Sequence, residues 1–166
     1  AFLRGYREGL AEPAAVLTAP EPAASRRVRA KNHGSAVEWL DAVKGDRFVV
    51  SEAWLGNLDH LKDYAQRTQG KTRLFDVPLH YLFSDMSGSN GGFDMRRLKN
   101  AGFVAARPEL AVTFVDNHDT VKSGGLYSPV DRFKLLAYAY ILMRDGGVPS
   151  VFYPDFLAEH DALKKL

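Results

Sequence analysis

The sequence contains no cysteine among its 166 residues, which excludes disulfides and thiolate metal sites. Together with a start, AFLRGYREGL, that lacks the long apolar core of a secretory leader, this favours the cytoplasm. No apolar run approaches the roughly 18 residues needed to span a bilayer, so no membrane partner is expected. An excess of charge of one sign is missing too. The 22 Lys and Arg stand against 20 Asp and Glu, a net charge of +2, and that balance does not single out nucleic acid as a partner. The basic cluster Arg26, Arg27, Arg29 and Lys31 has no aromatic side chain among it on which a base could stack. Length is short in one respect. The chain can hold one domain with a real core, whereas a complete eight-fold α/β barrel needs roughly 250 residues, so any such barrel here is partial.

The composition that is present changes near residue 33. Residues 11 to 31 are Ala, Pro and Arg with little apolar periodicity, and residues 1–34 read as an irregular or disordered segment. Residues 35–166 read as one domain in which helix and strand alternate. Ala36, Trp39, Leu40 and Val43 follow helical spacing, with Ser35 as N-cap and Gly45 past the end. RFVVS (47–51) predicts a buried strand, NLDHLKDYAQRT (57–68) a helix, and TRLFDV (72–77) a second strand. MSGSNGGF (86–93) predicts a loop, 94–99 a short helix, and LAVTFV (110–115) the strongest strand. Ser128 with Pro129 predicts the start of a long helix that Gly146 and Gly147 end, VPSVFY (148–153) a last strand, and 158–166 a last helix. Alternation of this kind predicts parallel βαβ units, an α/β fold.

Each predicted strand ends in polar residues: Ser51 and Glu52, then Asp76, then Asn117, His118 and Asp119, then Asp155. In a parallel α/β barrel those ends lie on one face, which holds the active site. Glu52 and Asp119 are separated by the span of two βα units, so they belong to alternate strands facing one bowl. Two carboxyl groups across a cleft suit glycoside hydrolysis, in which one donates and retrieves a proton and negative charge offsets an oxocarbenium ion. The plainer alternatives are a carboxylate at a helix N-terminus for Glu52 and an ordinary Asx turn for Asn-His-Asp.

FVDNHDT (114–120) resembles the strand-seven motif of the α-amylase family, FVVSEAW (48–54) its strand-five motif, and FDVPLHY (75–81) the segment around strand six. GGFDMRRL, FKLLAYAYILMRDGGVP and the closing VFY are also similar to the bacterial liquefying and fungal intracellular-type α-amylases. The resemblance implies a partial (β/α)8 TIM barrel, roughly strands 5 to 8 with their helices. It implies Glu52 as general acid/base, Asp119 as the carboxylate that stabilises the transition state, and His118 as a sugar contact. Asn117, Trp54 and Asp76 join them as candidate substrate-binding residues. The implied reaction is retaining endohydrolysis of α-1,4-glucosidic bonds in starch or glycogen, with an α-glucan as partner. No cofactor or metal ligand set is read in this chain, while the resemblance implies Ca2+ in a full-length parent.

The retaining mechanism also needs a nucleophile, which the family places at the end of strand four. LDAVK (40–44) offers Asp41, about ten residues before Glu52 and inside the first helix, which leaves too little chain for a crossover. RVRAKNH (27–33) offers Arg29 at the aligned position, and a guanidinium cannot attack an anomeric carbon. The chain is therefore expected to be inactive alone. The alternatives are a carbohydrate-binding remnant or another α-glucan-active hydrolase or transglycosylase of the same family. Unpaired barrel edges predict self-association.

Overall fold

A computed structural model describes residues 36 to 166, so the basic cluster, Arg29 and Ser35 lie outside the described residues. The chain divides into two compact units, one ending at Gly45 and the other spanning Asp46–Leu166. In the first, the described helix is α1 (Ala36–Val43), with Leu40 buried and Trp39 exposed. Asp41 lies within this helix.

The second unit is built on four parallel strands in the order β1 (Val50–Ser51), β2 (Arg73–Phe75), β3 (Ala111–Phe114) and β4 (Val148–Ser150). Spatial order equals chain order, because each strand feeds a helical crossover that returns the chain beside it. The crossover from β1 to β2 is α2 (Leu58–Arg67). Asn57 caps it, its Oδ1 accepting the N–H groups of Asp59 and His60. Between β2 and β3 run α3 (Val77–Gly88), a 3-10 turn (Met95–Leu98) and α4 (Gly102–Ala106). From β3 to β4 the chain passes through α5 (Lys134–Met143), and after β4 come α6 (Tyr153–Ala158) and α7 (His160–Leu163). All four residues of β3 are buried, as expected of a strand covered on both faces. The core gathers Leu61 and Ala65 of α2, Leu74 of β2, Phe83 of α3, Phe103 of α4 and Tyr138 of α5.

Several predicted boundaries are corrected. The second strand stops at Phe75 rather than Val77, because Asp76 caps α3 and Pro78 sits in its first turn. That helix absorbs Met86 to Gly88 from the predicted loop. The long helix begins at Lys134, not at Pro129. Segment 128–133 spends its N–H groups elsewhere: Ser128 on the Thr120 carbonyl, Val130 on Asp116, and both Asp131 and Arg132 on Ser87 Oγ. The last strand stops at Ser150, and Tyr153 opens α6 with Pro154 in its first turn. The predicted final helix over 158–166 is instead the end of α6 followed by α7.

Candidate active site

Parallel strands place their C-terminal ends on one edge of the sheet, and three of the predicted polar groups follow those ends. Glu52 is exposed immediately after β1. Asp119 lies in the turn after β3. β1 and β3 flank β2, so two strand spacings, about 10 Å of sheet, separate the backbones that carry the two carboxylates.

The turn carrying Asp119 is fixed from several sides. Asn117 Oδ1 accepts the N–H groups of Asp119 at 2.9 Å and Thr120 at 3.0 Å, an Asx turn. The Asn117 N–H donates to Thr120 Oγ1 at 2.9 Å, and the Thr120 hydroxyl donates to Asp116 Oδ1 at 2.8 Å. The Leu126 N–H donates to the Asp119 carbonyl at 2.9 Å. Gly124 packs so closely that a Cβ there would meet the carbonyls of Asp119 and His118, the latter oxygen at 2.6 Å. With its backbone held, the turn projects two side chains outward. His118 Nε2 lies 3.4 Å from Asp119 Oδ2, and both side chains are 39% exposed. Asn117 is 9% exposed, and its side-chain oxygen is occupied in shaping the turn.

Asp76 is corrected more fully. Its side chain is buried, and its carboxylate accepts three backbone N–H groups: Leu79 (3.1 Å) and Phe103 (2.8 Å) on Oδ1, and Val104 (2.8 Å) on Oδ2. It closes the N-termini of α3 and α4 and offers nothing to a substrate. Burial raises its carboxyl above the ordinary carboxylate range, while the three N–H groups and the charge of Arg144 pull the other way. Gly102, with φ +78°, is what lets α4 approach: a Cβ would stand 2.6 Å from Asp76 Oδ2.

Trp54 is half-buried at the same edge, and its Nε1–H donates to the Tyr81 hydroxyl at 3.0 Å. Its ring also packs near His80 and Phe114, at centroid distances of 6.0 and 5.9 Å. His80 was not anticipated. It is fully buried, with Nδ1 2.7 Å from the Val115 carbonyl and Nε2 2.8 Å from Ser128 Oγ. Because a carbonyl only accepts, Nδ1 carries the proton. Burial lowers the imidazole below its ordinary value, with the Val115 carbonyl and Asp116 opposing the shift.

Asp155, the last of the predicted strand-end acids, is drawn into a buried network. Lys134 Nζ lies 2.7 Å from Asp155 Oδ1 and 3.0 Å from Asp116 Oδ2, and the Tyr138 hydroxyl donates to Asp155 Oδ2 at 2.7 Å. Burial opposes the Lys134 charge, yet the two carboxylates outweigh it and raise the ammonium above its ordinary value. The sequence carried no sign of this network beyond the spacing of its members.

Among the described residues, no group of three or more His, Cys, Asp or Glu converges as a metal site requires. Asp76 is committed to backbone N–H groups and Asp116 and Asp155 to Lys134, which leaves Glu52 and Asp119 at the edge, two acids on different strands and too few for the roughly six to eight oxygen ligands of Ca2+. The described residues do not by themselves fit that ion, and no step below runs through one. No helix of the described residues is long and apolar enough to cross a membrane.

No family model matches the chain. Curated relatives do. It is 46% identical over 123 residues to the α-amylase of Bacillus licheniformis, covering 71% of this chain and 24% of that protein. It is 43% identical over 128 residues to the cytoplasmic α-amylase of Escherichia coli (strain K12), covering 74% and 26%. The glucan 1,4-α-maltohexaosidase of Bacillus sp. (strain 707) is 43% identical over 124 residues, covering 72% and 24%. The chain thus spans about a quarter of the length of these relatives.

Proposed function

This chain belongs to the α-amylase family of glycoside hydrolases, and from that premise we propose that it is a segment of an α-glucan-active TIM barrel, corresponding to strands 5 to 8. Its chemistry is the retaining endohydrolysis of α-1,4-glucosidic bonds. In this reading Glu52 is the general acid/base. Exposed at the end of β1, it protonates the departing glycosidic oxygen and later takes a proton from water. Asp119 supplies negative charge to the oxocarbenium-like transition state, and His118 beside it contacts a sugar hydroxyl. Trp54 gives an apolar ring face to a glucose unit. The observation that carries the reading is the turn after β3: the N–H and the carbonyl of Asp119 are both hydrogen-bonded while its side chain stays 39% exposed.

The nucleophile is the missing partner. Asp41 is held within α1, too close in sequence to Glu52 for a crossover between them, and Arg29 has no nucleophilic atom for the task. We therefore expect the 166-residue chain to bind α-glucan without cleaving it, which is also the carbohydrate-binding alternative. Among the described residues the sheet ends at β1 and β4, and these outer strands supply surfaces for self-association.

Two measurements on the same preparation decide this. Maltoheptaose binding is followed by calorimetry, and turnover with a chromogenic maltooligosaccharide, each with Glu52→Gln as control. Binding without turnover is the expected result. Turnover abolished by Glu52→Gln would overturn the inactivity of the chain, and absence of both would end the α-glucan reading.

A further inference from the structure

Lys134 opens α5 at the meeting point of β3, α5 and α6. Its ammonium contacts two buried carboxylates from different elements, Asp116 after β3 and Asp155 in α6. An ion pair that served only to fasten α5 to α6 would need Asp155 alone. The second contact reaches Asp116 Oδ2, and the other oxygen of that carboxylate receives the Thr120 hydroxyl. That hydroxyl has two acceptors in reach, Asp116 Oδ1 at 2.8 Å and the Asn117 carbonyl at 3.3 Å. The closer oxygen, that of Asp116, takes the proton. A hydroxyl whose proton points to Asp116 turns a lone pair toward the Asn117 N–H, 2.9 Å away. Asn117 in turn holds the Asp119 N–H.

We propose that Lys134 is a positioning residue for Asp119, acting through Asp116, Thr120 and Asn117, and that it couples the seating of α6 to the presentation of the glucan-facing carboxylate. Without the ammonium, Asp116 and Asp155 are like charges about 6 Å or less apart in a buried site. They repel, and Asp116, which then keeps the longer contacts from the Val130 N–H at 3.3 and 3.2 Å but loses its ion pair, shifts as the acceptor for Thr120. The proposal rests on Asp119 facing α-glucan, as read above, but its structural half can be measured without ligand.

The experiment uses the full 166-residue chain, isotopically labelled, with Lys134→Met and Lys134→Arg. Lys134→Met is expected to move the backbone amide resonances of Asn117, Asp119 and Thr120 while leaving those of Ser51 and Leu74 in place, and to weaken maltoheptaose binding by about tenfold or more. Lys134→Arg, which keeps the charge, is expected to restore both. Unmoved resonances at the turn in Lys134→Met, movement spread equally over the sheet, or no recovery with arginine would each overturn the proposal. If Lys134→Met does not fold, Thr120→Val cuts the link between Asp116 and Asn117 while keeping both ion pairs. The same displacement of Asn117 and Asp119 is expected there, and its absence overturns the proposal. If even the unsubstituted chain binds no maltoheptaose, the glucan reading fails while the amide pattern still decides the positioning.

Discussion

His80 and Phe114 stack face to face, their ring centroids 5.0 Å apart and their planes 11° from parallel. The imidazole donates from Nδ1 to the Val115 carbonyl and meets Ser128 Oγ at Nε2. One ring thereby joins α3, the end of β3 and the segment leading to α5. Burial lowers its affinity for a proton, so between its folded value and the ordinary value near 6.5 the unfolded chain binds more protons than the folded one. The contribution of His80 to stability is then complete above about pH 6.5 and lost as the pH falls below it. Thermal melts between pH 5 and 8 are expected to show this decline, with a slope of at most about 1.4 kcal/mol per pH unit from His80. His80→Gln should flatten that slope even where it lowers the melting temperature overall.

Gly124 leaves no space for a side chain against the carbonyls of His118 and Asp119. Gly124→Ala is expected to push the turn out of register and cost about 1 to 3 kcal/mol by overpacking. Denaturant titration measures the stability loss, and maltoheptaose calorimetry under native conditions should show weaker binding than the loss of folded protein explains.

Asp76→Ala strands three buried N–H groups, those of Leu79, Phe103 and Val104. At about 1 kcal/mol or more for each unsatisfied donor, a loss of at least about 3 kcal/mol is expected. Chemical denaturation checks it, and a change smaller than about 1 kcal/mol would contradict the capping role.

The outer edge of β4 carries exposed Val148, with exposed Val151 just beyond it. A chain that pairs along this edge is expected to sediment as more than a monomer at micromolar concentration. Val148→Lys with Val151→Lys should shift the distribution toward monomer, since lysine discourages strand addition. A single monomeric boundary for the unsubstituted chain would contradict the expectation.

Trp54→Ala should weaken maltoheptaose binding by about 1 to 2 kcal/mol if its ring meets glucose. Tyr81→Phe removes only the partner of the Trp54 Nε1–H and should cost less, so calorimetry on the pair separates ring stacking from hydrogen bonding.

The strands were legible because their apolar runs are continuous, and AVTF is buried throughout as read. The first, RFVVS, is corrected, since only Val50 and Ser51 form strand, both are half-buried and Phe48 is exposed. The placement of Glu52 and Asp119 at strand ends followed from the same runs. The start of α5 was misread because Ser128 and Pro129 form a sound helix-start signal, and the competing acceptors for the following N–H groups, Asp116 and Ser87, come from distant parts of the chain. Asp76 was misassigned for a related reason. In sequence it is one more acid after a strand, and only the arrival of Gly102 and α4 reveals where its carboxylate is spent. His80 gave no local sign, since its partners Val115 and Ser128 are 35 and 48 residues away. The Asx turn at Asn117 was a plain reading of the motif, and it coexists with an outward-facing Asp119.

The carboxylate of Asp76 closes two helices at once, and this has a bearing on how the fold opens. Neither α3 nor α4 can fray at its first turn without exposing the anchor of the other, so the amides of Leu79, Phe103 and Val104 should exchange with solvent deuterium at one shared rate. The middle of the sheet is in that sense latched: the segment between β2 and β3 lets go as a single piece or holds as one.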